Sequence, residues 1–171
     1  MSRRAGLFFG VIFVVVTGID QGSKAWAEGL PIGTRQPVIH GFWDWELAYN
    51  PGAAFSSFTH HGALILSLIA MIALVGVGIA AWRTRPDQRL RLAGLAMIAG
   101  GALGNLIDRV RHGAVTDFVH WHVHDHWWPI FNVADAALLV GAVLMLAQRP
   151  RRVESTHEAL AAGAGGRLPH E

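Results

Sequence analysis

Long apolar runs alternate with short polar segments along this 171-residue chain. Apolar residues dominate 7–19, 63–82, 92–107 and 133–147, and the charged residues gather between them. The second run is uncharged over about the 20 residues that carry a helix across a hydrocarbon core. The pattern predicts four transmembrane helices, over about 6–26, 63–82, 90–107 and 132–148. Pro86 separates the second from the third, where a helix cannot continue through it. Gly100 and Gly104 stand four residues apart in the third, a spacing that lets helices approach closely. Between the first two runs the rhythm changes. Trp43, Trp45, Leu47 and Tyr49 alternate with Asp44, Glu46 and Ala48, a period of two that predicts a half-exposed strand. Asn50-Pro51-Gly52 ends it with turn chemistry. Tryptophans collect at lipid headgroups, so this reads as a small β-element lying on the membrane surface.

Composition fits this reading. Charged residues are 15 % of the chain, against roughly 25 % in a soluble domain. The mean hydropathy is only +0.35 because polar loops and a polar tail dilute the spans. The pI of 9.9 points weakly to nucleic acid, but the net charge is only +2. Nine arginines fall in three clusters, at 3–4, 83–91 and 149–152, whereas the alternate segments hold only Lys24, Arg35, Arg109 and Arg111. Basic residues favour the cytoplasm, so both termini are expected there, with the loops bearing Asp44, Asp117 and the histidines outside. Residues 1–150 then form one four-helix domain, and 151–171 a disordered cytoplasmic tail. Cysteine is absent, which removes disulfides, thiolate metal sites and cysteine nucleophiles. The first span admits two readings. Arg3 and Arg4, a short apolar core and Ala25-Trp26-Ala27 match a cleavable signal peptide. A retained helix would instead carry Asp20 and Lys24 one turn apart at its outer end.

The candidate chemistry lies between Gly100 and Asp135. Asp20, Asp108, Asp117 and Asp135 all fall beside the ends of apolar spans, where ionisable groups are costly. Asp20 and Asp108 have a structural reading as helix caps or as partners of Lys24 and Arg109. Asn105 and Asp108 are three apart and share one side of a helix end. Asn132 is a natural N-cap, which makes Asp135 the third residue of a capping box. Asp117, in a polar loop between Thr116 and Phe118, has no such local role. If that loop folds back, two carboxylates meet and share a proton, giving one base and one acid. Such a pair activates water against a peptide carbonyl and protonates the leaving amine. The helix N-terminus favours the ionised form of Asp135, so Asp135 is the expected base and Asp117 the expected acid. His120, His122, His124 and His126 would share one face of a strand, with Asp125 among them. They are read as a surface tract beside Trp121, Trp127 and Trp128, with zinc binding as the rival.

Five segments together resemble the lipoprotein signal peptidases (signal peptidase II), bacterial membrane aspartyl peptidases. They are Asp20-Gln21-Gly22-Ser23-Lys24, Asn50-Pro51-Gly52-Ala53-Ala54-Phe55, Gly100 through Arg109, Val115-Thr116-Asp117-Phe118 and Phe131-Asn132-Val133-Ala134-Asp135. The resemblance runs from about Gly18 to Ala147. It implies an all-α membrane fold of four transmembrane helices with a small β-cradle on the outer, periplasmic face, and a retained first helix. It implies that Asp117 and Asp135 are the catalytic pair. Asp20, Lys24, Asn50, Gly52, Asn105, Asp108, Arg109 and Asn132 are then expected to bind substrate or support the site. The implied reaction removes the signal peptide from a diacylglyceryl-modified prolipoprotein, N-terminal to the lipidated cysteine, without metal or cofactor. Membrane lipid and the prolipoprotein are the expected partners, nucleic acid is not, and a monomer in the bacterial inner membrane is expected. The family is the target of globomycin. The histidine tract and the Ala/Gly-rich tail depart from the family's pattern.

Overall fold

The computed structural model describes residues 1–52 and 62–147. It contains helices α1 (Arg3–Ala27), α2 (Gly62–Arg83), α3 (Arg89–His112) and α4 (Val133–Leu146). Its strands are β1 (Gln36–Ile39), β2 (Trp43–Asn50), β3 (Val115–Val123) and β4 (His126–Trp127). Three helices, α1 to α3, are long and apolar enough to cross a membrane. The expected span over 132–148 is realised as the 14-residue apolar helix α4, with Gln148 outside the described residues. At about 1.5 Å per residue α4 measures roughly 21 Å.

α3 is the centre of the bundle, and α1, α2 and α4 pack around it. The mean hydropathy of its apolar stretch, 1.5 against 2.7 for α2, is lower because the polar Asn105 enters it and glycine and alanine replace bulk where neighbours approach. The large apolar side chains face outward instead, among them Leu7, Val14, Ile72, Val75 and Leu139. Such an exterior suits a hydrocarbon solvent. The glycines set the packing. A Cβ on Gly100 would lie 2.8 Å from Val16 of α1, and one on Gly101 2.5 Å from the Ala134 carbonyl oxygen of α4. Gly94 and Gly141 face each other in the same way further along α3 and α4. Gly100 beside Val16 and Gly104 beside Asp20 make α1 and α3 parallel, whereas α4 runs antiparallel to α3. Gly101→Ala is therefore expected to force α3 and α4 apart and to cost about 1–3 kcal/mol. Thermal unfolding in detergent checks this; an unchanged midpoint would mean that the contact is slack.

The strands form one antiparallel sheet in the order β1-β2-β3-β4. The alternation over 43–49 is realised as β2, with its register to β3 shifted between Trp45 and Ala48. Beneath the sheet Ala27, Phe118 and Val119 form a buried cluster with Trp43, Trp45, Phe131 and Val133 around it.

Three expectations need correction. The fold is mostly helical rather than all-α, because the sheet recruits the segment after α3 as well as the one after α1. The loop expected around Val115-Thr116-Asp117-Phe118 is strand β3, whose residues 115 to 120 are all buried. α3 continues past the expected end at 107 to His112, so Asp108 and Arg109 are helical. The Gly113 cap, at φ 71°, then stops it. The first span is one helix through Ala27, and its last turns are built into the bundle. The expected tail over 151–171 and the motif residues Ala53, Ala54 and Phe55 lie outside the described residues.

Candidate active site

The glycine row on α3 does more than allow contact. Gly100, Gly104 and Asp108 follow one another at intervals of four, so they share one face of the helix. Because Gly104 lets Asp20 of α1 come close, the next turn brings Asp108 against Lys24. Lys24 is buried, and its Nζ spends all three protons. It donates to Asp20 Oδ2 at 2.9 Å, Asp108 Oδ2 at 2.8 Å and Asn105 Oδ1 at 2.9 Å. Of the two cations expected as partners, Asp108 thus takes Lys24 rather than Arg109. Each acid has a second duty. Asp20 Oδ1 accepts the Ala134 N–H at 2.8 Å, tying α1 to the first turn of α4. Asp108 Oδ2 accepts the Thr116 N–H at 3.1 Å, tying α3 to β3 next to Asp117.

From this buried ion cluster hydrogen bonds run outward to the two candidate catalytic acids. Asn105 Nδ2 donates to Asp135 Oδ1 at 2.9 Å. Asn132, fully buried, serves both acids. Its Nδ2 donates to Asp117 Oδ1 at 2.6 Å and lies 3.2 Å from Asn105 Oδ1. Its Oδ1 accepts the Asp135 N–H at 2.9 Å, and its own N–H donates to Asp135 Oδ2 at 3.3 Å. The capping box expected from sequence is present. Here it also joins the two acids through one asparagine.

Asp117 is brought in by β3, where it pairs with Ala48 of β2. Asn50 at the end of β2 donates from Nδ2 to Asp117 Oδ2 at 3.1 Å, and its Oδ1 accepts the Gly52 N–H at 2.9 Å. Gly52 takes φ +103°, and a Cβ there would lie 2.5 Å from Leu66, so glycine is required to present Asn50 this way. Asp117 is 3 % exposed. Burial pushes its carboxyl up, and the Asp135 charge pushes it further, to about 6, against the opposing hydrogen bonds from Asn50 and Asn132. Asp135 is half-buried and nearer to solvent. Arg109 lies in the field of Asp135, Asp117 and Asp108. Its Nη1 donates to the Asn105 carbonyl at 3.3 Å, and its buried Nε–H has no partner among the described residues.

All ten expected site residues fall in or around this network. Two participants were missed: Gln21, whose Nε2 donates to Asp108 Oδ1 at 2.9 Å, and Thr116, whose carbonyl accepts from Asn132. Gln21 sits inside the first motif, but only the rotation of α1 shows which neighbour it meets. The histidine tract is organised differently from either reading. His120 Nδ1 lies 2.7 Å from Glu46 Oε2, and His122 Nε2 lies 3.3 Å from Asp44 Oδ2. His122 also stacks on Trp127 at 4.1 Å, and the Arg35 guanidinium lies 4.0 Å over the same ring. Burial opposes ionisation of Glu46, yet hydrogen bonds from His120 and Arg35 hold its carboxyl below the usual range. His124 takes a positive φ in the turn to β4, which ends the shared face. Among the described residues no three His, Asp or Glu side chains converge as a metal site.

Comparison with known proteins agrees over most of the chain. The family described as Signal peptidase (SPase) II matches residues 12–149. A lipoprotein signal peptidase of Xanthomonas euvesicatoria pv. vesicatoria is 43 % identical over 151 residues, covering 84 % of this chain and 87 % of the relative. One of Xylella fastidiosa is 41 % identical over 141 residues, covering 80 % and 84 %. Two solved structures of bacterial membrane enzymes, obtained by the in meso method, superpose with TM-scores of 0.74 and 0.73. Their identities are 29 % and 26 %, covering 81 % and 95 % of this chain and 89 % and 93 % of theirs.

Proposed function

The chain belongs to the signal peptidase II family, and from that premise we propose that Asp117 and Asp135 form its catalytic acid–base pair. The protein is a membrane protease of the lipoprotein signal peptidase kind. Its proposed substrate is a prolipoprotein bearing diacylglycerol on the cysteine that follows the scissile bond. The observation that carries the reading is Asn132, one buried residue that donates from its side chain to the Asp117 carboxyl and from its backbone N–H to the Asp135 carboxyl. It holds two carboxyl groups of unlike environment beside each other, the condition for splitting their roles.

In the proposed mechanism Asp135 is the ionised base that takes a proton from water, and the water attacks the scissile carbonyl. Asp117, kept protonated by burial and by the neighbouring charge, delivers its proton to the leaving amine. The Arg109 Nε–H, which has no acceptor among the described residues, is the proposed donor to a substrate carbonyl oxygen. The outer halves of α1 and α3 and the sheet above them carry the site, so a lipid-anchored substrate reaches it without leaving the bilayer. All four helices cross the inner membrane in this reading. Both ends of the chain are cytoplasmic and the sheet faces the periplasm in this reading, which the arginine asymmetry supports.

The test is cleavage of a diacylglyceryl-modified prolipoprotein by the protein reconstituted in liposomes, set against the same substrate without lipid and run with and without chelator. Cleavage that requires the lipid and ignores the chelator is expected. Equal cleavage of the unlipidated substrate would overturn the lipidated-substrate reading, and abolition by chelator would replace it with a metal-dependent hydrolase using the histidine tract. The pH profile follows from Asp117. With the acid form needed and its carboxyl at about 6, kcat/KM should fall on the alkaline side as pH rises through that value. A rate still climbing above pH 8 would remove Asp117 as the acid.

A further inference from the structure

We infer that the end of the bundle opposite the carboxylates holds a binding site for the phosphate ester of an anionic phospholipid. The site is a cavity of about 470 Å³ between the start of α1 and the start of α3. Arg4 and Arg89 line one part of it, and Leu7, Phe8, Val11 and Leu92 line the rest. Among the described residues no acidic side chain lines it. Among the described residues neither arginine has an ion-pair partner; the nearby Asp87 is taken by Arg85 at 3.5 Å.

The helix dipoles sharpen the point. α1 and α3 are parallel, so both present positive N-termini at this end. Neither has an acid in its first turn, and both have arginines there instead, Arg3 and Arg4 in one and Arg89 and Arg91 in the other. Cations at a helix N-terminus oppose the dipole. At α1 the Ser2 side chain accepts the Ala5 N–H, but α3 begins without a side-chain cap, since Gln88 makes no such bond. Membrane topology accounts for arginines at this end of the spans, but any exposed position there would satisfy it. Two unpaired guanidiniums in a cavity beside two positive helix ends form an anion site. The apolar walls decide its occupant. Leu7, Phe8 and Val11 follow one another at helical spacing down α1 from Arg4, so a bound phosphate continues into a groove fit for an acyl chain. This site does not depend on the peptidase reading and touches none of its residues.

The protein in detergent micelles would be titrated with phosphatidylglycerol or phosphatidylcholine and bound lipid counted by native mass spectrometry. Retention of phosphatidylglycerol over phosphatidylcholine is expected. Replacing both Arg4 and Arg89 with Gln should weaken it roughly thirtyfold, from two arginines near an anionic headgroup. Arg85→Gln removes a charge from the same end without touching the cavity, and should leave binding within about threefold. Continued cleavage of the lipidated substrate by these variants shows that they are folded. Equal retention of phosphatidylcholine, or equal losses in Arg85→Gln and the double variant, would reduce the effect to general surface charge and overturn the site. Displacement of phosphatidylglycerol by millimolar inorganic phosphate would assign the cavity to a free anion, and so overturn the lipid occupant.

Discussion

Asp117→Asn is expected to abolish cleavage of the lipidated substrate, lowering the rate by roughly 10⁴-fold, the upper range for a positioned acid or base. Asp135→Asn should do the same, and the double variant should be little worse, because the two groups act as one unit. A loss of activity alone would not separate chemistry from folding; the stability of Asp117→Asn does. In the folded protein the Asp117 carboxyl stays protonated up to about 6, whereas its ordinary value is 3.8. A carboxyl raised on folding contributes stability that is complete below the unfolded value and is lost as pH rises through the folded one. The wild type should therefore lose stability between about pH 4 and 6, and Asp117→Asn, which has no proton to lose there, should not. The amide keeps one oxygen to accept from Asn132 or Asn50. An inactive variant whose unfolding midpoint in detergent is less sensitive to pH than the wild type's is the expected result. More than a tenth of wild-type activity would sink the assignment of Asp117, and an unaltered pH dependence of stability would mean that its carboxyl is not the perturbed group.

How much of this could be read beforehand depends on which physical signal each feature leaves in the chain. The helices are legible because lipid demands unbroken apolar length, and 63–82 became α2 nearly residue for residue. β2 is legible because polarity alternates over 43–49, although burial does not follow it: Asp44 is buried and Tyr49 is exposed. β3 gives no such contrast. Residues 115 to 120 are buried throughout, between the helix ends and the neighbouring strands, and the stretch reads as a loop with acids and histidines. The capping box is local and was visible; its second use, joining Asp135 to Asp117, depends on where β3 lies and was not. Which of the two expected cations meets Asp108 was left open for a related reason. Arg109 is adjacent in sequence, but helix rotation points Asp108 along the Gly100–Gly104 row towards α1 and Lys24. The histidine tract shows the same limit. Asp44 and Glu46 alternate on β2 with the period of His120 and His122 on β3, but only the strand pairing, Asp44 opposite His120, shows that the two sets meet.

Lys24 carries the other large effect. Lys24→Met is expected to destabilise the protein by about 3–5 kcal/mol, the cost of leaving a buried charge without its partner. The size comes from what remains. Asp20 and Asp108 are 0 % and 4 % exposed, and both lose their cation at once. Methionine fills much of the volume but supplies none of the three donors, so Asn105 Oδ1 also loses a partner. Because Asp20 caps α4 and Asp108 holds β3, loosening them should move both candidate catalytic acids, and activity should fall with stability. The two effects separate in a second variant. Adding Asp108→Asn to Lys24→Met removes one stranded charge while leaving the amide oxygen to accept the Thr116 N–H. Stability should then recover in part, as it does when a whole buried ion cluster is replaced rather than broken. Denaturant unfolding in micelles measures both variants. If Lys24→Met unfolds at the wild-type midpoint, the cluster is solvated and the glycine row is not what seals it. If Asp108→Asn deepens the loss instead of relieving it, the carboxylate's bond to β3 outweighs its burial, and the sheet rather than the ion cluster holds Asp117 in place.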